Sequence, residues 1–391
     1  MKKLLTGLIF SILALTGAIV YNANAPKVEA TYYSQAVGAA IKNRIINGAM
    51  EINQRVSSVT TSGSFPVDRF STSFVTPTTL TWSQDSNVPS YALAGRDFQK
   101  SIKVVTSGAA DSGAPAAGTV ISLYQAIEGY NFHDLMGDGY NQGFTISFWA
   151  RSSKTGVYCA CVADGALTRS YSADFTIAAI DTWQQVTVTV TAAPSGGTWN
   201  KTNGVGLYMF ITLRAGSTFG GNTANTWTSN AKRSSNNIQT TWANTVGDTF
   251  YFTGIQLEAG TNATSFEFRH IQHELGLCQR YYWKSFPFAT APAQNAGRSG
   301  ALEVSQAAGA SAICKPFQIN FPFPMRATGT VTTYNPSAAN AQIKNSSTGS
   351  DWSGATVENA SDTGVQIYGT TAGGSAAGNI SSVHITVDAE L

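Results

Sequence analysis

Tyrosine, tryptophan and arginine recur on one side of several alternating segments of this sequence, and these residue types suit the recognition of sugars. A flat aromatic ring packs against the apolar face of a pyranose, because the ring face carries partial negative charge. Arginine supplies N–H groups for the sugar hydroxyls. The candidate residues are Tyr124, Trp149, Arg151, Tyr208, Phe210 and Arg214. If their segments are strands of one sheet, these side chains form a single exposed surface with the composition of a recognition interface.

The same residues also fit a structural interpretation. A second layer of strands, or a neighbouring subunit, would cover this face of the sheet, and the rings would then pack inside the protein or the assembly. The sequence leaves both interpretations open.

Alternation of apolar and polar residues with a period of two predicts the strands that carry these side chains. In 207–214, for example, Leu207 and Ile211 lie on the side opposite to Tyr208. The alternating segments are 120–128, 144–151, 183–191 and 207–214. A further predicted strand, 250–258, has apolar residues on both sides, and Gly254 within it predicts a β-bulge.

The predicted fold class is all-β. Many short strands separated by turns rich in Gly, Ser and Asn indicate a jelly-roll β-sandwich. One segment, 270–284, departs from this pattern, because Ile271, Leu275, Cys278 and Tyr282 recur at spacings of three and four. That spacing predicts a short amphipathic helix. A second, smaller β-rich domain is predicted after it.

The N-terminal segment is uncharged and mostly apolar after Lys2 and Lys3, and it ends in Ala23-Asn24-Ala25. This is the layout of a secretory signal peptide. The alternative is a retained apolar helix that anchors the chain or packs in an assembly. The predicted regions are 1–25 (signal peptide or retained helix), 26–44 (linker), 45–269 (jelly roll), 270–284 (linking helix) and 285–391 (C-terminal β-rich domain).

Composition restricts the class of partner. The 391 residues include 24 Lys and Arg against 22 Asp and Glu, a formal net charge of +2. So small a net charge provides no field to hold a polyanion, so nucleic acid is not predicted as a partner. Four cysteines are too few in a chain of this length for a disulfide scaffold.

Several ordered motifs resemble a family of bacteriophage tail-fibre or tail-tip proteins, from about residue 43 to the C-terminus. The motifs are Asn43 to Arg55, Val67 to Phe70, Ile127 to Phe132, Phe144 to Gly156, Phe250 to Gly260, Phe266 to Arg269, Glu274 to Tyr282, Phe323 to Arg326, Thr332 to Pro336 and Thr386 to Leu391. The resemblance implies a virion structural and receptor-binding protein whose jelly roll, similar to carbohydrate-binding modules, binds host-surface polysaccharide or lipopolysaccharide. It also implies a homo-oligomer, with a trimer expected, and other virion tail proteins as partners.

Two alternatives to the virion protein remain. The first is a secreted bacterial lectin-like protein that binds carbohydrate. The second is a polysaccharide depolymerase, which would need two carboxylates about 5 to 10 Å apart across the sugar. The candidate carboxylates are Asp97, Glu128, Asp138, Glu258 and Glu267. No two of them form a recognisable acid–nucleophile arrangement, so we predict that the protein is not an enzyme.

The resemblance to jelly-roll modules also implies a structural calcium ion that ties the first strand to the last. Asn47, Glu51 and Glu258 are the positions that would supply ligands. Calcium takes six to eight oxygens, so solvated surface carboxylates are the alternative. No other cofactor is predicted.

The remaining reactive or bulky residues have structural interpretations. Cys159 and Cys161 flank one residue on a predicted strand, which favours buried thiols over a disulfide. Cys278 and Cys314 could pair in an oxidising compartment. The run 281–283 (Tyr-Tyr-Trp) is interpreted as an anchor between the predicted helix and the C-terminal block or a neighbouring subunit.

Overall fold

The computed structural model describes residues 42–391, except 110, 138–139, 142, 193–195, 240 and 308. The predicted signal peptide, most of the predicted linker and Asp138 therefore lie outside the described residues. Asn43–Leu391 is one compact unit. In the part that is described, no helix combines the length and the apolar character needed to cross a membrane.

The fold is nearly all β, as predicted. In chain order, the strands of the N-terminal region are β1 (Ser58–Val59), β2 (Ser71–Val75), β3 (Leu80–Asp85), β4 (Ser101–Thr106), β5 (Val120–Glu128), β6 (Met136–Gly137), β7 (Tyr140–Asn141), β8 (Phe144–Ser152), β9 (Gly156–Asp164), β10 (Ser170–Ile177), β11 (Gln184–Val190), β12 (Val205–Ala215), β13 (Trp227–Thr228) and β14 (Thr249–Ala259). Strands β6 and β7 pair with each other as a separate two-stranded sheet. A four-residue helix, α1 (Tyr91–Ala94), follows β3, and a 3₁₀ turn (Gly129–Asn131) follows β5.

Two six-stranded antiparallel sheets form the sandwich. Sheet 1 has the order β1-β3-β4-β14-β8-β11, and sheet 2 has the order β13-β10-β9-β12-β5-β2. The alternation predicted for β8 and β12 is confirmed, since Phe144 and Ile146 of sheet 1 join Leu207 and Ile211 of sheet 2 in one buried core. Full burial of each such side chain stabilises the fold by roughly 1.5–3 kcal/mol.

Gly254 confirms the predicted bulge in β14. The register with β8 shifts between Thr253 and Gln256, and Gly254 has a φ of 62°. A Cβ atom at this position would lie 2.7 Å from the ring of Phe98. Glycine is therefore required both by the backbone conformation and by the close approach of the ring.

The predicted helix over 270–284 is shorter in the structure. Helix α2 spans Ile271–Gln279, and His270 caps it by accepting a hydrogen bond from the Gln272 N–H. The next residues form strand β15 (Tyr282–Lys284). The helical spacing of Tyr282 was misleading, because its backbone instead pairs with a strand at the C-terminus.

The C-terminal block has its own sheets and core. Its other strands are β16 (Leu302–Ser305), β17 (Ile313–Asn320), β18 (Thr330–Tyr334), β19 (Lys344–Asn345), β20 (Ser353–Glu358), β21 (Gly364–Thr370) and β22 (Ile380–Asp388). Strand β22 pairs with β15, β16, β18 and β19, whereas β17, β21 and β20 form a separate sheet. Phe317, Ile367 and Val387 belong to the core of this block.

Tyr281 and Trp283 connect helix α2 to its surroundings. The Tyr281 hydroxyl donates to Glu128 Oε2 at 2.6 Å, and the Ala389 N–H donates to the Tyr281 carbonyl at 2.8 Å. Trp283 packs against Phe321, with 5.5 Å between ring centroids. These contacts join the helix to the sandwich and to the C-terminal block, so the anchoring role predicted for this run is confirmed within one chain.

The cysteines are buried free thiols. Cys159 and Cys161 are unpaired, as the prediction favoured. Cys278 and Cys314 do not pair with each other, because they belong to two different apolar clusters.

The surroundings of His384 on β22 lead us to predict that the stability of the fold depends on pH. Its ring stacks on Phe286 with 3.9 Å between centroids, Nδ1 lies 3.0 Å from Ser285 Oγ, and Nε2 lies 3.1 Å from the Gly297 carbonyl. Burial lowers the pKa of His384 below its ordinary value. As the pH falls, this histidine is therefore protonated at a higher pH in the unfolded chain than in the folded chain. The free energy of unfolding consequently decreases as the pH drops below about 6.5.

We expect His384→Gln to lose this part of the pH dependence, as measured by urea unfolding at a series of pH values. His133→Gln is the matched control, because His133 is exposed. Curves for the wild type and His384→Gln that stay parallel from neutral to acidic pH would contradict the prediction.

Candidate functional site

The structure divides the six predicted sugar-contact residues between two sheets. Trp149 and Arg151 lie on β8 of sheet 1, whereas Tyr124 lies on β5 and the other three lie on β12 of sheet 2. The outer faces of the two sheets point away from each other, on opposite sides of the shared core. The prediction of a single surface is therefore wrong. Alternation showed which side chains avoid the core but not which sheet each strand joins.

Arg214 is not available to a ligand. Its side chain is 0% exposed and donates to the carbonyls of Asp111 (2.9 Å), Trp242 (2.9 Å) and Gly113 (2.6 Å). Its Nη2 also lies 3.1 Å from Asp111 Oδ2. The loops that contain these partners cover the end of β12, so Arg214 has a structural role, which corrects its prediction as a glycan contact.

Trp149 is also largely covered. It is 7% exposed and belongs to an apolar cluster with Phe98, Trp183 and Tyr251 on the outer side of sheet 1. Arg151 lies over the Tyr251 ring at 5.1 Å and donates from Nε to the Asp181 carbonyl at 2.8 Å. The segments around Phe98 and Phe266 cover this part of the sheet, so the structural interpretation applies to Trp149.

Three of the predicted residues do come together, on the outer face of sheet 2. We call Tyr124, Tyr208 and Phe210 the aromatic patch. Their ring centroids are separated by 6.1 Å (Tyr124–Tyr208), 5.4 Å (Tyr124–Phe210) and 5.7 Å (Tyr208–Phe210). Within the patch, Phe210 is buried, whereas both tyrosines are half-buried and present part of their rings to solvent.

Pairing of neighbouring strands fixes the patch. Phe210 lies opposite Tyr124 on β5 and opposite Cys161 on β9, while Tyr208 lies opposite Ala126 and Ala163. The small side chains beside the tyrosines leave the rings room. Burial is the main reason that the pKa of Tyr208 is raised, with Tyr124 adding to the effect. The Tyr208 hydroxyl is therefore a neutral donor and acceptor at ordinary pH.

Arg233 completes the patch and was not predicted from the sequence. Its Cζ atom lies 4.6 Å from the Phe210 ring centroid and 5.0 Å from that of Phe219. Nη1 donates to Ser73 Oγ at 2.6 Å. Cation–π contacts of this kind hold a guanidinium in place. Arg233 lies in a Ser- and Asn-rich stretch without alternation, so no periodicity indicated where its side chain would point.

A buried carboxylate shapes the loops next to the patch. Asp164, at the end of β9, accepts hydrogen bonds from the N–H groups of Thr168 (2.6 Å), Arg169 (2.9 Å) and Thr198 (2.6 Å). These bonds fix the β9–β10 hairpin, and Leu167 in that hairpin packs against the cluster that includes Phe210. The loops beside the patch are thus held by backbone amides that donate to Asp164.

The residues predicted to bind calcium have other partners. Asn47 Oδ1 accepts from the Ile52 N–H at 2.9 Å, and its Nδ2 donates to the carbonyls of Ile52 and Asp68. Glu258 accepts from Gln256 Nε2 and from the N–H and hydroxyl of Thr264. Among the described residues, no group of three or more His, Cys, Asp and Glu is placed to hold a metal ion. The structure therefore does not bring Asn47, Glu51 and Glu258 together as a calcium site.

A guanidinium makes the connection that calcium was expected to make. Arg269 is 5% exposed, donates to the carbonyls of Asn43 and Ile45, and lies 3.6 Å from Glu267 Oε2 and 3.3 Å from Glu274 Oε2. It thereby ties the segment before β1 to the segment after β14. These oxygens are of the kind that calcium prefers, but the Arg269 guanidinium already contacts them and its positive charge would repel a second cation, so the residues present do not fit a resident metal.

The carboxylates considered for hydrolysis are engaged in structural contacts. Glu128 is fully buried and accepts from Arg280 Nη2 at 2.6 Å and from the Tyr281 hydroxyl. Glu267 accepts from the Asn43 N–H at 2.7 Å, and Glu258 accepts from the N–H and hydroxyl of Thr264. Asp97 is exposed.

No family model and no curated protein matches this sequence. Solved structures give remote likenesses. They include the enzymatically active domain of tailspike protein 4 of bacteriophage CBA120 (13% identity over 56% of this chain and 21% of that chain, TM-score 0.29). They also include TmCBM61 in complex with β-1,4-galactotriose (11% identity over 56% of this chain and 99% of that chain, TM-score 0.27).

A third likeness is to the family 11 carbohydrate-binding module of a cellulosomal cellulase of Clostridium thermocellum (11% identity over 53% of this chain and 98% of that chain, TM-score 0.27). The match to the tailspike domain spans only about a fifth of that chain. Likenesses this remote assign no function to this chain.

Proposed function

We propose that this protein binds glycans through the aromatic patch and that it does so as a subunit of a bacteriophage tail fibre or tail tip. The observation that carries the proposal is the group of three rings on the outer face of sheet 2, with the Arg233 guanidinium stacked against Phe210. The resemblance of the ordered motifs to tail-fibre and tail-tip proteins supports the virion role, with host-surface polysaccharide or lipopolysaccharide as ligand.

Binding follows from the geometry of the patch. A sugar ring stacks on the exposed parts of Tyr124 and Tyr208, and the hydroxyl groups of these residues hydrogen-bond its substituents. Each site binds weakly on its own. Display of several copies in a homo-oligomer, with a trimer expected, raises the avidity by about 10²–10⁴ without any new contact.

The proposal is binding without cleavage. Glu128, Glu258 and Glu267 are committed to hydrogen bonds with arginine, amide or hydroxyl groups. A hydrolase would need a carboxylate pair free to act across the sugar. An assay for new reducing ends in host polysaccharide tests this point, and release of such ends that a single carboxylate substitution abolishes would favour the depolymerase instead.

We expect Tyr208→Ala to weaken glycan binding by about 10- to 100-fold, because it removes a ring that a sugar would bury. The measurement is a glycan array with purified protein, followed by calorimetry on the glycans that bind. Tyr91→Ala is the matched control, because Tyr91 is 68% exposed and lies on α1, away from sheet 2. Equal binding by the wild type and Tyr208→Ala would remove the aromatic patch as the site.

A further inference from the structure

We propose that the aromatic patch selects acidic glycans, with Arg233 binding the carboxylate of a uronic acid residue. This inference rests on the proposed function, and it adds the chemical class of the ligand. It depends on the surroundings of one guanidinium rather than on the rings alone.

Arg233 is a cation without an anionic partner in the protein. Its Nη1 donates to the neutral hydroxyl of Ser73, and no carboxylate pairs with it among the residues that the structure describes. Most of the partly buried arginines near the junction with the C-terminal block do have such a partner; Arg55, Arg69 and Arg280 each contact a glutamate. A half-buried guanidinium without a counter-ion gains more from an anionic ligand than a paired one does.

The other charged groups at this face leave the charge of Arg233 uncompensated. Lys232 is a second cation, and the acceptors of its Nζ are the neutral carbonyls of Ser217 and Thr218. Asp174 lies on β10, two strands away from β12, and accepts from Asn237 Nδ2 at 2.7 Å. Burial raises the pKa of Cys161 to about 12, so this thiol is neutral. Among the described residues, the charged group that contacts Phe210 is therefore the Arg233 cation.

The position of the guanidinium favours a planar anion. Its Cζ lies 4.6 Å from the Phe210 ring centroid and 5.0 Å from that of Phe219, and Nη1 is engaged with Ser73, so the N–H groups on the edge formed by Nε and Nη2 are the ones left for a ligand. Nε and Nη2 form no hydrogen bond with the described residues. Two parallel N–H groups match the two oxygens of a carboxylate, and this pairing is stronger than a hydrogen bond to a neutral hydroxyl. A sugar stacked on Tyr208 would present its carboxylate to this edge.

Tetragalacturonate and its methyl ester provide the test, because the two differ in charge and not in the sugar ring. Calorimetry on the full chain should show the acid binding about tenfold more tightly than the ester, since a hydrogen-bonded charge adds that much affinity. Arg233→Gln should abolish the preference, and Arg233→Lys should keep only part of it. Arg298→Gln, which removes an exposed arginine from the C-terminal block, should leave the preference unchanged.

The failures of the two proposals are distinguishable. Three results would each overturn the carboxylate assignment: equal binding of acid and ester, a preference that persists in Arg233→Gln, or equally tight binding of a sulfated galactan oligomer. In each of these cases, loss of binding in Tyr208→Ala would still support the proposed function. If neither probe binds but neutral glycans bind at the patch, the acidic class is wrong. If Arg233→Gln does not fold, the ratio of the wild-type affinities for acid and ester tests the assignment instead. Increasing salt must then reduce that ratio.

Discussion

Glu390→Gln is expected to lower the free energy of unfolding by roughly 3–5 kcal/mol, the usual cost of removing one partner from a buried ion pair. Glu390 is 8% exposed and contacts Arg69, which is 2% exposed, and Arg55, whose Nη2 lies 2.6 Å away. Without this carboxylate, the buried Arg69 has no carboxylate partner among the described residues, whereas Arg55 keeps Asp388 Oδ2 at 2.7 Å. Burial already lowers the pKa of Arg69, which shows that the protein environment disfavours its charge.

Urea unfolding followed by tryptophan fluorescence measures this loss. Glu303→Gln is the matched control, because it breaks an exposed ion pair with Arg298, for which a change of about 0–1 kcal/mol is expected. A loss for Glu390→Gln as small as that of the control would show that the contact adds no net stability.

The contacts of Glu390 also reach the aromatic patch. Arg69 donates to the Ala126 carbonyl at 2.6 Å, and Ala126 lies opposite Tyr208 in the pairing of β5 with β12. The Arg69 guanidinium lies 3.5 Å from the Tyr281 ring centroid. The last residues of the chain thus support β5, the strand that carries Tyr124, so the C-terminal block and the proposed glycan site are physically connected.

Local patterns in the sequence predicted the strands well, and long-range contacts limited the rest. Alternation placed β8 and β12 correctly, because successive side chains of a strand point to opposite faces. It placed Trp149 and Tyr208 on one surface wrongly, because the order of strands in a sheet depends on pairing between distant segments. Tyr282 has helical spacing but forms a strand, since pairing with Asp388 provides ladder hydrogen bonds.

The candidate site was only partly predictable for the same reason. Tyr124, Tyr208 and Phe210 follow from alternation, whereas Arg233 comes from an irregular segment that folds over the sheet. Arg214 and Arg233 are the same residue type, and they lie on sheet 2 and on a segment that covers it, yet loops that are distant in sequence cover Arg214 completely. Whether an arginine faces a ligand or a loop depends on which segments cover the sheet, and no local pattern encodes that.

Arg269→Ala should also cost roughly 3–5 kcal/mol of stability, because it removes the cation from a site that is otherwise made of oxygens. Arg269 holds the carbonyls of Asn43 and Ile45 and the carboxylates of Glu267 and Glu274 around one point. Burial and Glu274 together raise the pKa of the neighbouring Glu51. Without the guanidinium, these carboxylates repel one another.

Calcium distinguishes this explanation from a general loss of packing. In Arg269→Ala the remaining carbonyl and carboxylate oxygens are the ligand type that calcium prefers, so millimolar calcium should restore part of the lost stability. In the wild type, neither calcium nor EDTA should shift the unfolding midpoint, because the Arg269 guanidinium already contacts these oxygens and repels a second cation. Arg298→Ala controls for the loss of an exposed arginine. A wild-type midpoint that falls in EDTA would show that a metal ion, and not Arg269 alone, ties the first segment of the sandwich to the last.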